Sequence, residues 1–437
     1  MTTRASDERR ERQETRLGRR SFLAGTAATA AALASDMTGL NVLKEQALAA
    51  ELKRQEKRVI LFWLAGGASQ FETFDPKPGR PTGGPFRAIP TVVPGIHISE
   101  LMPKMAQRIG HTAIIRSLNT RIADHGGGAE LMQLGRRDEP SIRFPDLGAV
   151  VARELGRIDS EVPDYVSFYS STEGRGSSTR QAGFLGSRYA PMFLTTGTSP
   201  EYLQPLKTLS AVDHRERADL QAALGRQFAR GRELPAVSSH SQAYARVRGL
   251  MASERLFDIE QESQAMRDRY GPTLFGQQTL TARRLIDAGV PFVKVGRAWW
   301  DSHGENFETH LELVSELDHV MSTLIDDLKS RGLLEQTLIV TLSEFGRTPQ
   351  INQSLGRDHF ASAWSATLTG CGIQGGSVYG KTDENGQTVV DGQIGAAPLF
   401  ATIYQALGID YEKEYQVGAR PIPLTDPGTE PIDTILA

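Results

Sequence analysis

The sequence contains a single cysteine, Cys371, among 437 residues. One thiol excludes an intramolecular disulfide and any metal cluster built on several thiolates. Beyond the N-terminal region, no apolar run approaches the roughly 18 residues that a membrane-spanning helix needs. Neither sign of charge is in large excess, since 49 Lys and Arg oppose 52 Asp and Glu. Because acids and bases are mixed along the chain, we expect neither nucleic acid nor an anionic membrane surface as a partner.

Residues 1–49 have the pattern of an export signal. The pair Arg19-Arg20 follows a polar stretch and precedes an Ala-rich apolar run at 23–33. Ala47-Leu48-Ala49 then places small residues where a signal peptidase cleaves. Together these features predict export through the twin-arginine (Tat) machinery, to the periplasm or the extracellular space. The alternative is a disordered basic tail that precedes an Ala-rich helix.

Four short apolar runs predict strands that are buried on both faces. They lie at 59–64, 112–117, 290–295 and 337–341. Residues 308–330 instead repeat apolar side chains at three- and four-residue spacing, which is typical of an amphipathic helix. Strands that alternate with helices predict an α/β fold with a mainly parallel sheet. Ligands of such sheets bind beyond the carboxyl ends of the strands, where we expect the functional site.

The residues after the signal predict one large domain at 50–437, because about 390 residues of this alternating pattern suit a single α/β unit. The segment 205–270 differs, since it is highly charged and helical in pattern. It predicts either an inserted helical cap over the site or peripheral helices with a solvated charged face.

Three polar runs in the C-terminal half follow predicted strands or lie in glycine-bounded loops. They are Trp-Trp-Asp-Ser-His-Gly at 299–304, Ser-Glu-Phe-Gly-Arg-Thr-Pro at 343–349 and Gly-Arg-Asp-His-Phe at 356–360. Their carboxylates and imidazoles form the donor set of a divalent metal site. The predicted ligands are Asp301, His303, Glu344 and His359. This mixed set suits Zn²⁺ or Mn²⁺ better than Ca²⁺.

These candidates also have structural interpretations. Asp301 or Asn306 could cap the helix that follows, which would leave His303 merely exposed. Glu344 could form a buried salt bridge with Arg347 instead of binding a cation.

A further polar run, Asp-His-Gly-Gly-Gly at 124–128, supplies catalytic candidates. His125 could be a metal ligand, a general base or a nucleophile, with Asp124 fixing the tautomer of its imidazole. The glycines would let backbone N–H groups approach an anionic substrate. Arg116 and Arg347 are candidates for binding substrate oxyanions. The alternative is a glycine-rich turn with an incidental imidazole.

These motifs resemble those of a family of Tat-exported proteins that share domain of unknown function 1501. The resemblance rests on the twin-arginine signal and on the runs at 64–78, 124–128, 300–304 and 344–349. This family is similar to the alkaline phosphatase and sulfatase superfamily. The resemblance implies a three-layer α/β/α sandwich and the hydrolysis of phosphate or sulfate esters with one or two divalent cations.

Several positions depart from the superfamily pattern. Gly66-Gly67 stand where the first strand normally ends in a metal-binding Asp, and Glu72 and Asp75 are the nearest substitutes. Phe345 replaces an imidazole, and His125 occupies the position of the usual covalent nucleophile. The alternative nucleophiles on nearby loops are Ser69, Thr73 and Ser343.

The sequence therefore supports two functions. The first is an exported metal-dependent hydrolase of a small or polymeric anionic ester of phosphate or sulfate. The second is a non-catalytic pseudoenzyme or anion-binding protein that keeps the fold, which the departures at the ligand and nucleophile positions favour.

Overall fold

The structure is a computed structural model that describes most of residues 56–437. The residues of that range outside the description are 158–161, 169–170, 173–174, 177–181, 196, 201–207, 209, 232–248, 250 and 252. The export signal predicted at 1–49 lies outside the described residues, and so does part of the 205–270 segment. In the described part of the chain, no helix combines the length and the apolar character that crossing a membrane requires.

An eight-stranded sheet forms the centre of the fold. Its strands are β1 (Arg58–Leu64), β2 (Thr112–Leu118), β3 (Tyr165–Phe168), β4 (Met192–Leu194), β5 (Phe292–Arg297), β6 (Thr337–Leu342), β7 (Trp364–Gly370) and β8 (Ser377–Tyr379). Their order across the sheet is β8-β2-β7-β6-β1-β5-β3-β4. Strand β7 runs antiparallel to β6 and β2, and the other neighbouring pairs are parallel. The predicted mainly parallel sheet is confirmed.

Helices cover both faces of this sheet. The helices of the described residues are α1 (Pro103–Ala106), α2 (His125–Leu134), α3 (Leu147–Leu155), α4 (Ala211–Ala229), α5 (Glu254–Phe257), α6 (Gln264–Tyr270), α7 (Leu274–Asp287), α8 (Asn306–Ser330) and α9 (Ala396–Ala406). Alternate side chains of β1 point to opposite faces, as strand geometry requires. Trp63 and its face pack with α2, α3 and α9, whereas Phe62 and its face pack with α7 and α8. The three-layer α/β/α sandwich is confirmed.

Short elements complete the described fold. Two-residue to four-residue strands pair as Ala88–Pro90 with His97–Ser99, Ser171–Thr172 with Arg175–Gly176, Gly346–Arg347 with His359–Phe360, Lys381–Thr382 with Val389–Asp391, and Glu414–Val417 with Arg420–Pro423. Short 3₁₀ helices lie at Ile109–His111, Gly183–Leu185, Ser187–Tyr189, Ile259–Gln261, Leu334–Gln336 and Asp433–Ile435. One of the strand pairs brings His359 opposite Arg347.

The bounds of the elements that the sequence pattern predicted agree closely with those in the structure. The helix predicted at 308–330 is α8, which begins two residues earlier at Asn306. The described part of 205–270 contains α4, α5 and α6, and its role as a cap stays a prediction. Because β1, β5 and β6 are parallel neighbours, the segments that follow Leu64, Arg297 and Leu342 meet at one edge of the sheet.

Candidate metal centre at the carboxyl ends of the strands

The segments that follow β1 and β5 run side by side beyond the sheet. The Ala65 N–H donates to the Arg297 carbonyl over 2.9 Å, and the Trp300 N–H donates to the Ala65 carbonyl over 3.2 Å. The Trp300 side chain is buried in the core beside His310, which anchors this segment. Asp301 is therefore held at the edge of the sheet where ligands of parallel sheets bind.

The Asp301 carboxylate lies at the centre of three imidazoles. Its Oδ1 is 3.1 Å from His359 Nε2 and 3.2 Å from His303 Nε2, and its Oδ2 is 3.1 Å from His125 Nε2. We call these four residues the imidazole–carboxylate cluster. Burial by itself would raise the pKa of Asp301, but its contacts with His125, His359 and Arg347 hold that pKa well below its usual range. The carboxylate is thus ionised and ready to bind a cation.

Two of the imidazoles present lone pairs to each other. His359 Nδ1 donates to the Ala123 carbonyl over 2.8 Å, and His303 Nδ1 lies 2.7 Å from Asp358 Oδ1. A neutral imidazole that donates from Nδ1 carries its lone pair on Nε2. These two Nε2 atoms are only 3.0 Å apart. Two lone pairs at that distance repel unless a proton or a cation lies beside them.

The third imidazole, that of His125, is held by Glu344. His125 Nδ1 lies 3.1 Å from Glu344 Oε1, which also accepts the Gly66 N–H over 2.8 Å. The hydrogen bonds to Asp301 and Glu344 raise the pKa of His125 to about 9. A carboxylate behind a ligating imidazole is the usual way in which proteins orient a metal-binding histidine. Glu344 has this relation to the cluster.

Three members of the cluster satisfy the spacing of a metal site. His125, Asp301 and His359 each offer a donor atom, and these atoms lie within 4.8 Å of one another. His303 Nε2 is close to two of the three, at 3.2 Å from Asp301 and 3.0 Å from His359. The group could therefore hold a metal ion.

A model of proteins of unknown function, DUF1501, matches residues 56–436. The chain belongs to this family. No curated protein matches the chain.

Solved structures similar to this DUF1501 protein share little sequence with it. A sulfatase from Pseudoalteromonas sp. is 13% identical with a TM-score of 0.37, over 84% of this chain and 72% of that one. The phosphonate monoester hydrolase of Agrobacterium radiobacter is 11% identical with a TM-score of 0.36, over 87% of this chain and 77% of that one. A protein of the alkaline phosphatase superfamily from Vibrio parahaemolyticus is 11% identical with a TM-score of 0.33, over 81% and 67%.

The structure of the DUF1501 chain brings together three of the four residues that the sequence predicted as ligands. Asp301, His303 and His359 converge directly. Glu344 instead contacts the cluster through His125, which takes the fourth place. The helix-cap alternative does not describe Asp301, because Glu305 occupies the N-cap position of α8.

Asp124 has a different task from the one predicted for it. Its carboxylate caps α2 by accepting the Gly127 N–H over 2.8 Å, while Glu344 and Asp301 orient His125. The glycine-rich run is therefore the first turn of a helix and not a loop. The helix N-terminus keeps its partial positive charge, of which the Asp124 carboxylate already compensates a part.

The two candidate oxyanion-binding arginines are engaged by the protein itself. The buried Arg347 guanidinium donates to the Gly67 carbonyl over 2.7 Å, to the Gly66 carbonyl, and to Asp301 Oδ1 over 2.6 Å. Its carboxylate partner is thus Asp301 and not Glu344, so the alternative of a salt bridge between Glu344 and Arg347 is wrong. Arg116 donates to the Phe74 carbonyl over 2.8 Å and to the His97 carbonyl over 2.7 Å. It therefore binds the backbone of the 74–97 segment.

The position two residues after β1 is a glycine because a side chain does not fit there. Gly66 has φ +119°, and a Cβ added to it would lie 2.4 Å from the Asp301 nitrogen. An aspartate at this position would displace the Asp301 backbone, so a ligand from β1 is sterically excluded. Glu72 does not replace it, because it pairs with the buried Arg357 over 3.0 Å. Asp75 accepts instead from Lys77 over 2.9 Å.

The three alternative hydroxyl nucleophiles are buried and bonded to backbone. Thr73 Oγ1 donates to the Ser69 carbonyl over 2.7 Å, and Ser343 Oγ donates to the Leu64 carbonyl over 2.6 Å. Ser69 Oγ accepts the Phe71 N–H over 3.3 Å. None of these hydroxyls has a cluster residue as its partner in those bonds, so they stabilise the loop after β1.

Proposed function

We propose that this protein is an exported, metal-dependent hydrolase of phosphate or sulfate esters. The observation that carries the proposal is the convergence of three imidazole Nε2 atoms on one ionised carboxylate, at 3.1, 3.2 and 3.1 Å from Asp301 oxygens. Two of these nitrogens, His303 Nε2 and His359 Nε2, also lie 3.0 Å from each other, and a cation beside them would relieve the repulsion of their lone pairs.

The donor chemistry fits a divalent cation. Three imidazoles and one carboxylate make the nitrogen-rich set that Zn²⁺ favours and that Mn²⁺ accepts, whereas Ca²⁺ prefers oxygen ligands alone. The far side of each imidazole is already fixed, by Glu344, Asp358 or the Ala123 carbonyl. This second layer of contacts sets the tautomer that metal binding needs.

Each residue of the site then has a defined task. The cluster would hold the cation, which when bound would attract an anionic ester and polarise its ester oxygen. Arg347 fixes the position of Asp301, and Glu344 fixes that of His125. The N-terminal turn of α2 would stabilise negative charge on the substrate oxygens. Because the nearby hydroxyls are bonded to backbone, we propose that water attacks the ester directly.

A second candidate function is anion binding without turnover. It is favoured by the same hydroxyl contacts, because Thr73 and Ser343 donate their hydroxyl hydrogens to backbone carbonyls and Ser69 Oγ is held by the Phe71 N–H. It shares the metal site and the helix N-terminus with the first candidate. The two functions differ only in whether an ester bond is broken.

The metal content of the folded full-length protein tests the shared part of the proposal. We expect near-stoichiometric Zn²⁺ or Mn²⁺ by elemental mass spectrometry, and its loss in His303→Ala and His359→Ala. His97→Ala is the matched control, since His97 is exposed and contributes only its carbonyl to Arg116. A folded wild-type protein that neither contains nor takes up either metal would overturn both functions.

Turnover then separates the two functions. Metal-loaded protein is incubated with methyl and 4-nitrophenyl esters of phosphate and sulfate, and release of the inorganic anion is measured. Release that disappears in His303→Ala supports the hydrolase. Stoichiometric metal with saturable phosphate or sulfate binding but no release supports the anion-binding function.

Export is tested independently of chemistry. Residues 1–49 are fused to a folded reporter, and the reporter is located by fractionation of the cells. We expect it in the exported fraction, and we expect the change of Arg19 and Arg20 to Lys to keep it in the cytoplasm. A reporter that stays in the cytoplasm with the unchanged segment would contradict this part of the proposal.

A further inference from the structure

Backbone strain is concentrated around the cluster. Among the described residues, the non-glycine residues with left-handed φ are Glu56 (50°), Arg121 (59°), Trp299 (77°), Glu305 (50°) and Leu355 (54°). All except Glu56 lie within four positions of a cluster residue in the sequence. Left-handed φ is unfavourable for side chains with a Cβ, and above all for bulky ones. Such strain persists where function needs a side chain in that place.

Trp299 is the most unusual member of this group. Trp299 is 61% exposed, whereas Trp63, Trp300 and Trp364 are no more than 1% exposed. Leu355 is 56% exposed and has the same left-handed backbone. Packing against the protein therefore does not offset the strain at either residue. Two large apolar side chains held in solvent at a conformational cost are typical of a binding surface.

Backbone contacts hold Leu355 beside the segment of His303, and Trp299 belongs to the same segment as His303. Trp299 lies two positions before Asp301 in the segment that continues to His303. Leu355 forms a β-bridge with Gly304, and the Asn306 N–H donates to the Leu355 carbonyl over 3.0 Å. The segments on either side of His303 therefore carry one exposed apolar side chain each.

We propose that Trp299 and Leu355 form an apolar platform that binds the ring of a ring-bearing phosphate or sulfate ester. The proposal rests on the hydrolase or anion-binding function of the cluster, which would take the charged group of the same molecule. An indole presents a flat apolar face, which packs best on a flat partner. A sugar ring and an aromatic ring share that feature, and a methyl or other small alkyl ester lacks it.

The exposed indole provides a direct assay that needs no turnover. Acrylamide quenches exposed tryptophan, so in this protein the quenching reports mainly Trp299. Metal-loaded protein is titrated with acrylamide in the presence of glucose 6-sulfate, phenyl sulfate or methyl sulfate, and with the corresponding phosphates. We expect at least one ring-bearing ester to protect the indole and the methyl esters to leave it accessible. Protection by the sugar esters alone, or by the phenyl esters alone, identifies the source of the ring.

Glycine variants separate recognition from structure. Because glycine tolerates left-handed φ, Trp299→Gly and Leu355→Gly should keep or raise the unfolding temperature. We expect KM, or the dissociation constant, for the protected ring ester to rise about tenfold, as the loss of one ring contact predicts. The value for the methyl ester should not change. Val390→Gly, at an exposed valine of the 389–391 strand, is the control that should alter the value for neither ester.

The outcomes distinguish this proposal from the function on which it rests. Equal protection by ring-bearing and methyl esters, or none by any of them in metal-loaded protein, would overturn the platform while leaving the metal site intact. A lower unfolding temperature in Trp299→Gly would also overturn it, because it would assign the indole a structural role. Absence of metal would defeat the proposed function, and the same quenching assay on the metal-free protein would still decide whether ring-bearing esters bind.

Discussion

Arg347 Nη2 lies 2.6 Å from Asp301 Oδ1, and the two side chains are 0% and 5% exposed. The same guanidinium donates to the carbonyls of Gly67 and Arg357. One buried arginine thus connects the loops that follow β1, β5 and β6. The position of the central carboxylate is fixed by this contact before any ligand arrives.

Arg347→Lys should therefore weaken both the fold and the metal site. A lysine offers one ammonium group and cannot make the forked contacts of the guanidinium. We expect the free energy of unfolding to fall by about 2 kcal/mol, because lysine keeps the charge but leaves buried carbonyls without a donor. Urea unfolding and a zinc titration measure the two effects. Arg80→Lys, at an exposed pair with Glu384, should change neither, and an unaltered zinc affinity in Arg347→Lys would contradict the positioning role.

Glu344→Gln should lower metal affinity more than Asp358→Asn does. Both carboxylates lie behind an imidazole of the cluster, but the Glu344 side chain is 5% exposed and that of Asp358 is 57% exposed. Solvent screens the exposed pair, so its contribution is smaller. We expect a 10-fold to 100-fold loss of zinc affinity for Glu344→Gln, about the effect of removing such an orienting group. Competition titration with a chelating dye measures it, and equal losses in the two variants would refute the distinction.

Alanine substitutions at two glycines in the first turn of α2 should have different effects on stability and zinc binding. A Cβ at Gly126 would meet only Asp124 Oδ1, at 3.5 Å, whereas a Cβ at Gly128 would meet the Glu344 carbonyl at 3.0 Å. Gly126→Ala should raise the free energy of unfolding by up to about 1 kcal/mol, because alanine favours the helix. Gly128→Ala should give no such gain and should weaken zinc binding, because it pushes the helix away from Glu344. Unfolding curves and zinc titrations of both variants check this, and a stabilised Gly128→Ala with full affinity would disprove it.

His310 should make stability depend on pH. Burial lowers the pKa of His310 to about 4, against 6.5 in the unfolded chain. The unfolded state therefore binds this proton first, and the folded state loses stability as the pH falls from about 6.5 toward 4. For this group we expect a loss of about 2 kcal/mol between pH 7 and pH 5.

The comparison with His310→Gln isolates that contribution. Glutamine can still accept the Ser69 N–H, which donates to His310 Nε2 over 3.0 Å, but it does not titrate. Urea unfolding at pH 7 and pH 5 should therefore show a smaller pH dependence in the variant than in the wild type. Equal slopes in the two proteins would show that His310 is not the responsible group.

The sequence predicted the parts of the site that depend on local order. Asp301, His303 and Glu344 follow buried strands closely, so their place at the edge of the sheet follows from strand periodicity and the geometry of parallel sheets. Their strands, β5 and β6, both pair with β1. Four of the eight strands of the sheet (β1, β2, β5 and β6) and α8 were predicted to within two or three residues because their apolar patterns are regular.

The remaining parts depend on long-range pairing that a single sequence does not reveal. His125 reaches Glu344 because β2 lies beyond the antiparallel β7 in the sheet, and no local pattern encodes that order. Loop packing determines that Arg347 pairs with Asp301 and not with Glu344. The cap at Asp124 did have a local signal, since an aspartate before a helix-forming run is a common N-cap.

The cluster is assembled from segments that are far apart in the chain, and Arg347 and Gly66, which support it, are separated by 281 positions. These segments meet only after β1, β2, β5 and β6 have taken their places, so the unfolded chain has no such site. Contacts of this range form late and slowly in folding. The identity of the bound ion would then be decided where folding is completed, by whichever divalent cation is abundant there, more than by the intrinsic affinity order of the donors.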